Sequence, residues 1–143
     1  MFVSVFFRGP QLGKITYVFR LLGLGLIFLG VSSAFYVHSL FPKRHERPTD
    51  FSKLLKEGPY RYVRHPFYSS LILISFGMAI FCESILGLAA ALLLILLWEK
   101  LAEVEERELL ERWGEEYREF MKSRGRFFLK LAQIFRRKGS KWG

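Results

Sequence analysis

A chain of 143 residues is long enough for one domain and not for two. It is 51% hydrophobic and yet carries a formal charge of +9. A lone cysteine, Cys82, excludes an internal disulfide and any Cys-rich metal site, and His38, His45 and His65 show no metal-ligand spacing, so no metal is expected.

The apolar residues fall in long runs and the charges fall between them. In a soluble protein this positive balance would suggest nucleic acid. With apolar runs of this length it is read instead as a basic surface beside a lipid bilayer, with no nucleic-acid partner.

The first run, residues 21–41, has no formal charge across 21 positions. Roughly 20 residues cross a ~30 Å hydrocarbon core as a helix. Arg8, Lys14 and Arg20 precede it, and Val31-Ser32-Ser33-Ala34 loosely resembles a signal cleavage site. The apolar run continues through Phe35, Tyr36 and Val37, however, which favours a membrane span. Gly23, Gly25 and Gly30 follow no strand, so they are read as helix-contact residues and not as a dinucleotide loop. His38, near the end of the span, is read as interfacial.

Residues 42–66 form a polar linker rich in Lys and Arg, with a turn signal at Gly58-Pro59 and a helix-starting proline at Pro66. Residues 67–98 would make a single rod of roughly 48 Å at ~1.5 Å per residue, too long for one ordinary span. Glu83-Ser84 interrupts them, which predicts a helical hairpin with Glu83 at its tip. Cys82 beside it is read as packed or lipid-facing.

Residues 99–122 are rich in helix formers, with Glu103–Arg107 and Glu108–Arg112 at i,i+4. Residues 123–143 form a basic tail in which Phe127, Phe128, Leu131, Ile134 and Phe135 predict an amphipathic segment lying in the interface. The expected fold is therefore a single all-α integral membrane domain of about three transmembrane helices. Basic residues in the linker and tail predict that both are cytoplasmic, with the N-terminus outside the cell membrane.

This topology brings two polar clusters to one membrane face. They are Gly58-Pro59-Tyr60-Arg61-Tyr62-Val63-Arg64-His65-Pro66-Phe67-Tyr68 and Glu103-Val104-Glu105-Glu106-Arg107-Glu108. Taken singly, the tyrosines read as an aromatic belt, the arginines as anchors and the glutamates as a solvated helix face. Taken together with Trp113-Gly114-Glu115-Glu116-Tyr117, they form a pattern. Gly58-Pro59-Tyr60, Arg64-His65-Pro66-Phe67-Tyr68, Glu105-Glu106-Arg107-Glu108-Leu109 and the Trp-Gly-x-x-Tyr element resemble, in order and spacing, the isoprenylcysteine carboxyl methyltransferase family and its phospholipid methyltransferase relatives.

The resemblance covers roughly residues 52–125 and implies an S-adenosylmethionine-dependent methyltransferase acting at the membrane surface. It implies that Tyr60, His65, Pro66, Phe67 and Tyr68 line the cofactor site, with Leu54 and Leu55 packing the cofactor. Glu105 would face the reacting groups and Glu106 would support the site. Aromatic faces and carboxylates suit a sulfonium cation, and Arg64 or His65 suits its α-carboxylate.

Two positions depart from the family pattern. Leu101 stands where the isoprenylcysteine enzymes place an arginine toward the substrate carboxylate, and Ser70 stands where glycine is common. The acceptor is expected to be a lipophilic or lipid-like carboxylate or amine. A second copy of so small a chain is a candidate for closing the site. The competing readings are an NADPH-dependent membrane lipid reductase with a related His-Pro-x-Tyr element, and a non-catalytic protein retaining the scaffold.

Overall fold

The computed structural model describes residues 14–41 and 54–129. It contains three α-helices, α1 (Lys14–Ser39), α2 (Pro66–Phe81) and α3 (Ile85–Ser123), with a short 3-10 turn at Gly58–Arg61. No strand occurs among the described residues; the one β-bridge pairs Val63 with Gly125.

Two helices, α1 over Thr16–Ser39 and α3, are long and apolar enough to cross a membrane. Only 11% of the most apolar window of each is buried inside the fold, so neither is the core helix of a soluble protein. Phe28 and Phe35 on α1, both 74% exposed, present rings that only a lipid environment would favour. At 16 residues, α2 is roughly 24 Å long and short for a full crossing. The expected hairpin is present, with α2 and α3 as its arms, and α3 continues into the predicted polar helix, with a kink at Gly114.

α1 and α2 run antiparallel and in close contact. A Cβ on Gly23 would lie 2.7 Å from the Gly77 carbonyl oxygen, and one on Gly30 would lie 3.0 Å from that of Ser70. Small residues let the backbones approach, as dispersion-driven packing in lipid requires. Ser70 is buried and its hydroxyl bonds Ser33 on α1 at 3.0 Å and the Pro66 carbonyl at 2.9 Å. A small residue with a satisfied hydroxyl thus serves where the family pattern has glycine.

The hairpin tip is tied to the start of α1. Glu83, with a positive φ of 51°, accepts hydrogen bonds from Arg20 at 3.0 Å and Thr16 at 3.3 Å. Ser84 caps α3 by accepting from Gly87 N at 2.9 Å. The start of α1 and the tip therefore share one end of the bundle. The end of α1, residues 54–66 and the polar half of α3 share the other.

The described part of the predicted tail leaves Phe128 64% exposed, as the expectation has it, and departs from it at Phe127. Phe127 is 7% exposed and packs with Ile72 and Ala102 against Tyr68 and Trp98, so it is a core residue and not an interfacial one. Burial of its ring among aromatic neighbours is what draws the chain back after α3. Leu131, Ile134 and Phe135, with the rest of residues 130–143, and linker residues 42–53 lie outside the described residues. Glu103 bonds Lys100 at 3.0 Å, and its expected i,i+4 partner Arg107 acts on it through its charge.

The α1–α2 contact yields a paired prediction. Gly77→Ala places a methyl 2.9 Å from Gly23 and Ile27 atoms and should lower the melting temperature in detergent, by a cost of roughly 1–3 kcal/mol. Gly25→Ala, with nothing within 4 Å of its Cβ, should leave stability unchanged or raise it. Equal effects of the two would contradict the packing described.

Candidate functional site

The loop before α2 owes its shape to backbone bonds that its own sequence does not supply. Gly58 takes a positive φ of 55°, natural for glycine, and opens the 3-10 turn against Leu40 and Tyr36 at the end of α1. Arg64 N then donates to Gly125 O at 2.9 Å and His65 N to Arg126 O at 3.0 Å. Ser69 Oγ adds a bond to Phe127 O at 2.8 Å. Residues 124–127 thereby act as a strap that holds the loop. Pro66 begins α2, where a missing N–H costs nothing, and it is buried. His65 occupies the N-cap position without capping, which leaves its imidazole to the site.

That imidazole lies between two carboxylates. His65 Nδ1 is 3.3 Å from Glu105 Oε2, and Nε2 is 3.0 Å from Glu106 Oε1. Burial alone would lower its pKa, but the bonds to Glu105 and Glu106 outweigh it and raise the pKa above the usual histidine value. Glu106 is 3% exposed and turned away from solvent. Arg126 Nη2 donates to it at 2.7 Å, and Arg64 Nε lies 3.3 Å away. Burial favours its neutral form, yet His65, Arg126 and Arg64 together hold its pKa down at about 2. Arg126 also reaches Glu99 at 2.9 Å.

Glu105 is fixed from the other side. Tyr68 donates its hydroxyl hydrogen bond to Glu105 Oε1. The Tyr68 ring stacks on Trp98 with centroids 5.2 Å apart and meets Phe127 edge-on at 6.4 Å. His65 stacks on Tyr68 at 5.6 Å. Orientation of the carboxylate is thus set by packed rings and not by a mobile side chain.

These groups border a cavity of about 330 Å³. Of the residues singled out from sequence, Leu54, Leu55, Tyr60, Arg64, His65, Phe67, Tyr68 and Glu105 line it. Pro66 and Glu106 do not; they sit behind the wall, Pro66 as the helix start and Glu106 as the anion beneath His65. Burial, then the nearby Glu105, push the Tyr60 hydroxyl well above the usual tyrosine value, so it stays protonated.

Sequence reading missed five lining residues: His38, Phe41, Leu109, Tyr117 and Phe120. His38, read as interfacial, faces the cavity from the end of α1. Tyr117 follows Gly114, whose φ of 52° and ψ of −122° kink α3 in a conformation open essentially to glycine alone. The Trp-Gly-x-x-Tyr spacing was the available signal for both. Arg126, the main partner of Glu106, carried no local signal. Leu101 is 41% exposed and does not line the cavity, and Lys100 beside it is committed to Glu103. Neither replaces the arginine of the isoprenylcysteine enzymes.

The shifts give the pH dependence a definite sign. The folded His65 pKa is raised above 6.5, so its stabilising contribution is complete below about pH 6.5 and is lost as pH rises through the folded value. The Glu106 contribution is complete above its ordinary 4.5 and is lost as pH falls toward about 2. Unfolding in detergent from about pH 6 to about pH 9 should therefore show stability falling as pH rises, and His65→Gln should flatten that fall. An unchanged slope in the variant would contradict the bridging role.

No match to the chain was found among curated proteins or among solved structures. The family model described as phospholipid methyltransferase matches residues 18–116, well over half of the chain, from early in α1 through the Gly114 kink. With its apolar helices and its site at one end of them, the chain belongs to the phospholipid methyltransferase family of membrane methyltransferases.

Proposed function

We propose that this protein is an S-adenosylmethionine-dependent methyltransferase of the isoprenylcysteine carboxyl methyltransferase type, methylating a lipophilic acceptor at the cytoplasmic membrane face. The observation that carries this reading is the cavity itself. Its walls are the aromatic rings of Tyr60, Phe67, Tyr68 and Phe120, and its polar edge is Glu105. A volume of about 330 Å³ falls within the ~300–1,000 Å³ of small-molecule sites. The chemistry of the lining fits the cofactor, because ring faces and a carboxylate attract a sulfonium cation. A buried Tyr117 hydroxyl without a hydrogen-bond partner among the described residues also fits a site built for a polar ligand.

When bound, S-adenosylmethionine supplies a methyl group on a positively charged sulfur, open to in-line displacement. The protein contributes position and a dry, shaped surface. Tyr68 and His65 hold Glu105 at the cavity wall. For an amine acceptor, Glu105 is placed to receive the proton that leaves nitrogen; for a carboxylate acceptor no proton has to leave. Glu106 acts through His65 and does not reach the cavity.

The acceptor reaches the site from the bilayer. Phe67 on the cavity wall and Leu101 on α3 are exposed apolar residues that lipid would cover. Arg61, Arg107, Arg112, Arg118 and Arg124 crowd this end of the bundle, and the positive-inside rule assigns it to the cytoplasm. The N-terminus then lies outside.

Two variants test the reading together. Calorimetry on the detergent-purified protein should show S-adenosylmethionine binding that His65→Ala abolishes. Glu105→Gln should keep that binding within a few-fold and lose at least about a hundredfold in transfer of labelled methyl to an amine acceptor. Binding of NADPH in place of S-adenosylmethionine, or full transfer by Glu105→Gln, would refute it.

A further inference from the structure

We propose that the large groove between the hairpin arms is a phospholipid site, with an acyl chain along the arms and the lipid phosphate on Arg20. The groove lies at the opposite end of the bundle from the His65 cavity, and its chemistry is independent of methyl transfer.

The groove has a volume of about 850 Å³, more than twice that of the cavity at the other end. Ile74 and Met78 on α2 and Ala90, Ala91 and Leu94 on α3 form its walls. The arms meet on either side of it. At the tip a Cβ on Gly87 would lie 3.2 Å from the Ala79 Cβ, and further along Phe76 and Ile95 pack with Ile72 and Ala102. Between these contacts Ala90 and Ala91 extend only a methyl from α3, which leaves space beside α2. The two serines of the groove already have partners. Ser75 Oγ donates to Leu71 O at 2.8 Å, and Ser84 Oγ accepts from Gly87 N at 2.9 Å. Nothing along the walls therefore calls for a polar occupant, and an apolar groove in the hydrocarbon layer takes up an acyl chain.

The rim supplies the opposite chemistry. Arg20 and Glu83 line the groove at the tip. Glu83 accepts from Arg20 Nε at 3.0 Å and from Thr16 at 3.3 Å, which anchors the guanidinium. That ion pair engages Nε, and the Arg20 side chain is still 46% exposed. Its terminal nitrogens are a planar pair of donors matched to two oxygens of a phosphate. A phospholipid carries an anion at one end and hydrocarbon along its length, in the same order as the groove. Within the apolar segments of a second copy, by contrast, Glu83 is the one acidic residue, and its own Arg20 occupies it. Arg20 and Glu83 mark the end of the bundle away from His65, so the bound lipid belongs to the leaflet opposite the candidate site.

The test is native mass spectrometry of the full chain in detergent, titrated with dioleoylphosphatidic acid and with dioleoylglycerol, which share acyl chains and differ by the phosphate. The unmodified protein should bind phosphatidic acid saturably and dioleoylglycerol at least about tenfold more weakly. Arg20→Gln should weaken phosphatidic acid by about tenfold and leave dioleoylglycerol within about twofold. Ala90→Phe, which places a ring in the groove, should weaken both. Equal affinity of the unmodified protein for the two lipids would overturn the phosphate contact without needing a variant. Unchanged phosphatidic acid affinity in both Arg20→Gln and Ala90→Phe would place the lipid elsewhere and overturn the site. A dimer of the unmodified protein that Ala90→Phe dissociates, with no saturable lipid on either, would make the groove an interface between copies and overturn it equally.

Discussion

A carboxylate that is 3% exposed survives ionised only if cations surround it, and Glu106 has His65, Arg126 and Arg64 within 3.3 Å. The four residues come from three different places in the chain. His65 and Arg64 belong to the loop before α2, Arg126 to the strap after α3, and Glu106 to α3 itself. The cluster therefore joins three segments, and the cavity wall is what they form when joined. Such a network is stabilising only when complete, since a missing partner leaves a buried charge exposed to a low-dielectric surrounding.

The membrane helices hold this cluster at a defined level. Gly23, Gly30 and Gly77 draw α1 against α2, and the Arg20–Glu83 ion pair fixes the opposite end of the bundle. The end of α1 is thereby brought to the loop at Gly58, and His38 to the cavity. α3 passes from lipid-facing leucines to the carboxylates Glu105 and Glu106 along one continuous helix. The carboxylates and the cavity they border thereby stand at the end of the apolar part of α3.

What was legible in the sequence was what short-range rules encode. Charge-free length marked α1, Glu83 marked the tip, and the spaced motifs marked Tyr60, His65, Tyr68 and Glu105. Gly114 was legible as part of a motif, although its kink was not. Three features escaped, for one shared reason: their meaning depends on distant partners. Arg126 and Phe127 sit among cations and aromatics that suggest an interfacial tail, and their return to the loop is explained by distant partners: the core that buries the Phe127 ring, and the Arg64 and His65 N–H groups that bond the carbonyls of Gly125 and Arg126. His38 resembles any polar residue at the end of a span until the loop closes over it. The division between Glu105 on the cavity and Glu106 behind it follows from the helix rotation of ~100° per residue, but which of the two faces inward is set by the strap.

The most direct test of the account is a double-mutant cycle on ligand affinity, with Glu106→Gln and Arg126→Ala made singly and together and S-adenosylmethionine binding measured for all four proteins. If the cluster assembles the cavity, each single change weakens binding and the double change is little worse than either alone. Independent, additive losses, or an affinity in either single variant equal to that of the unmodified protein, would contradict it.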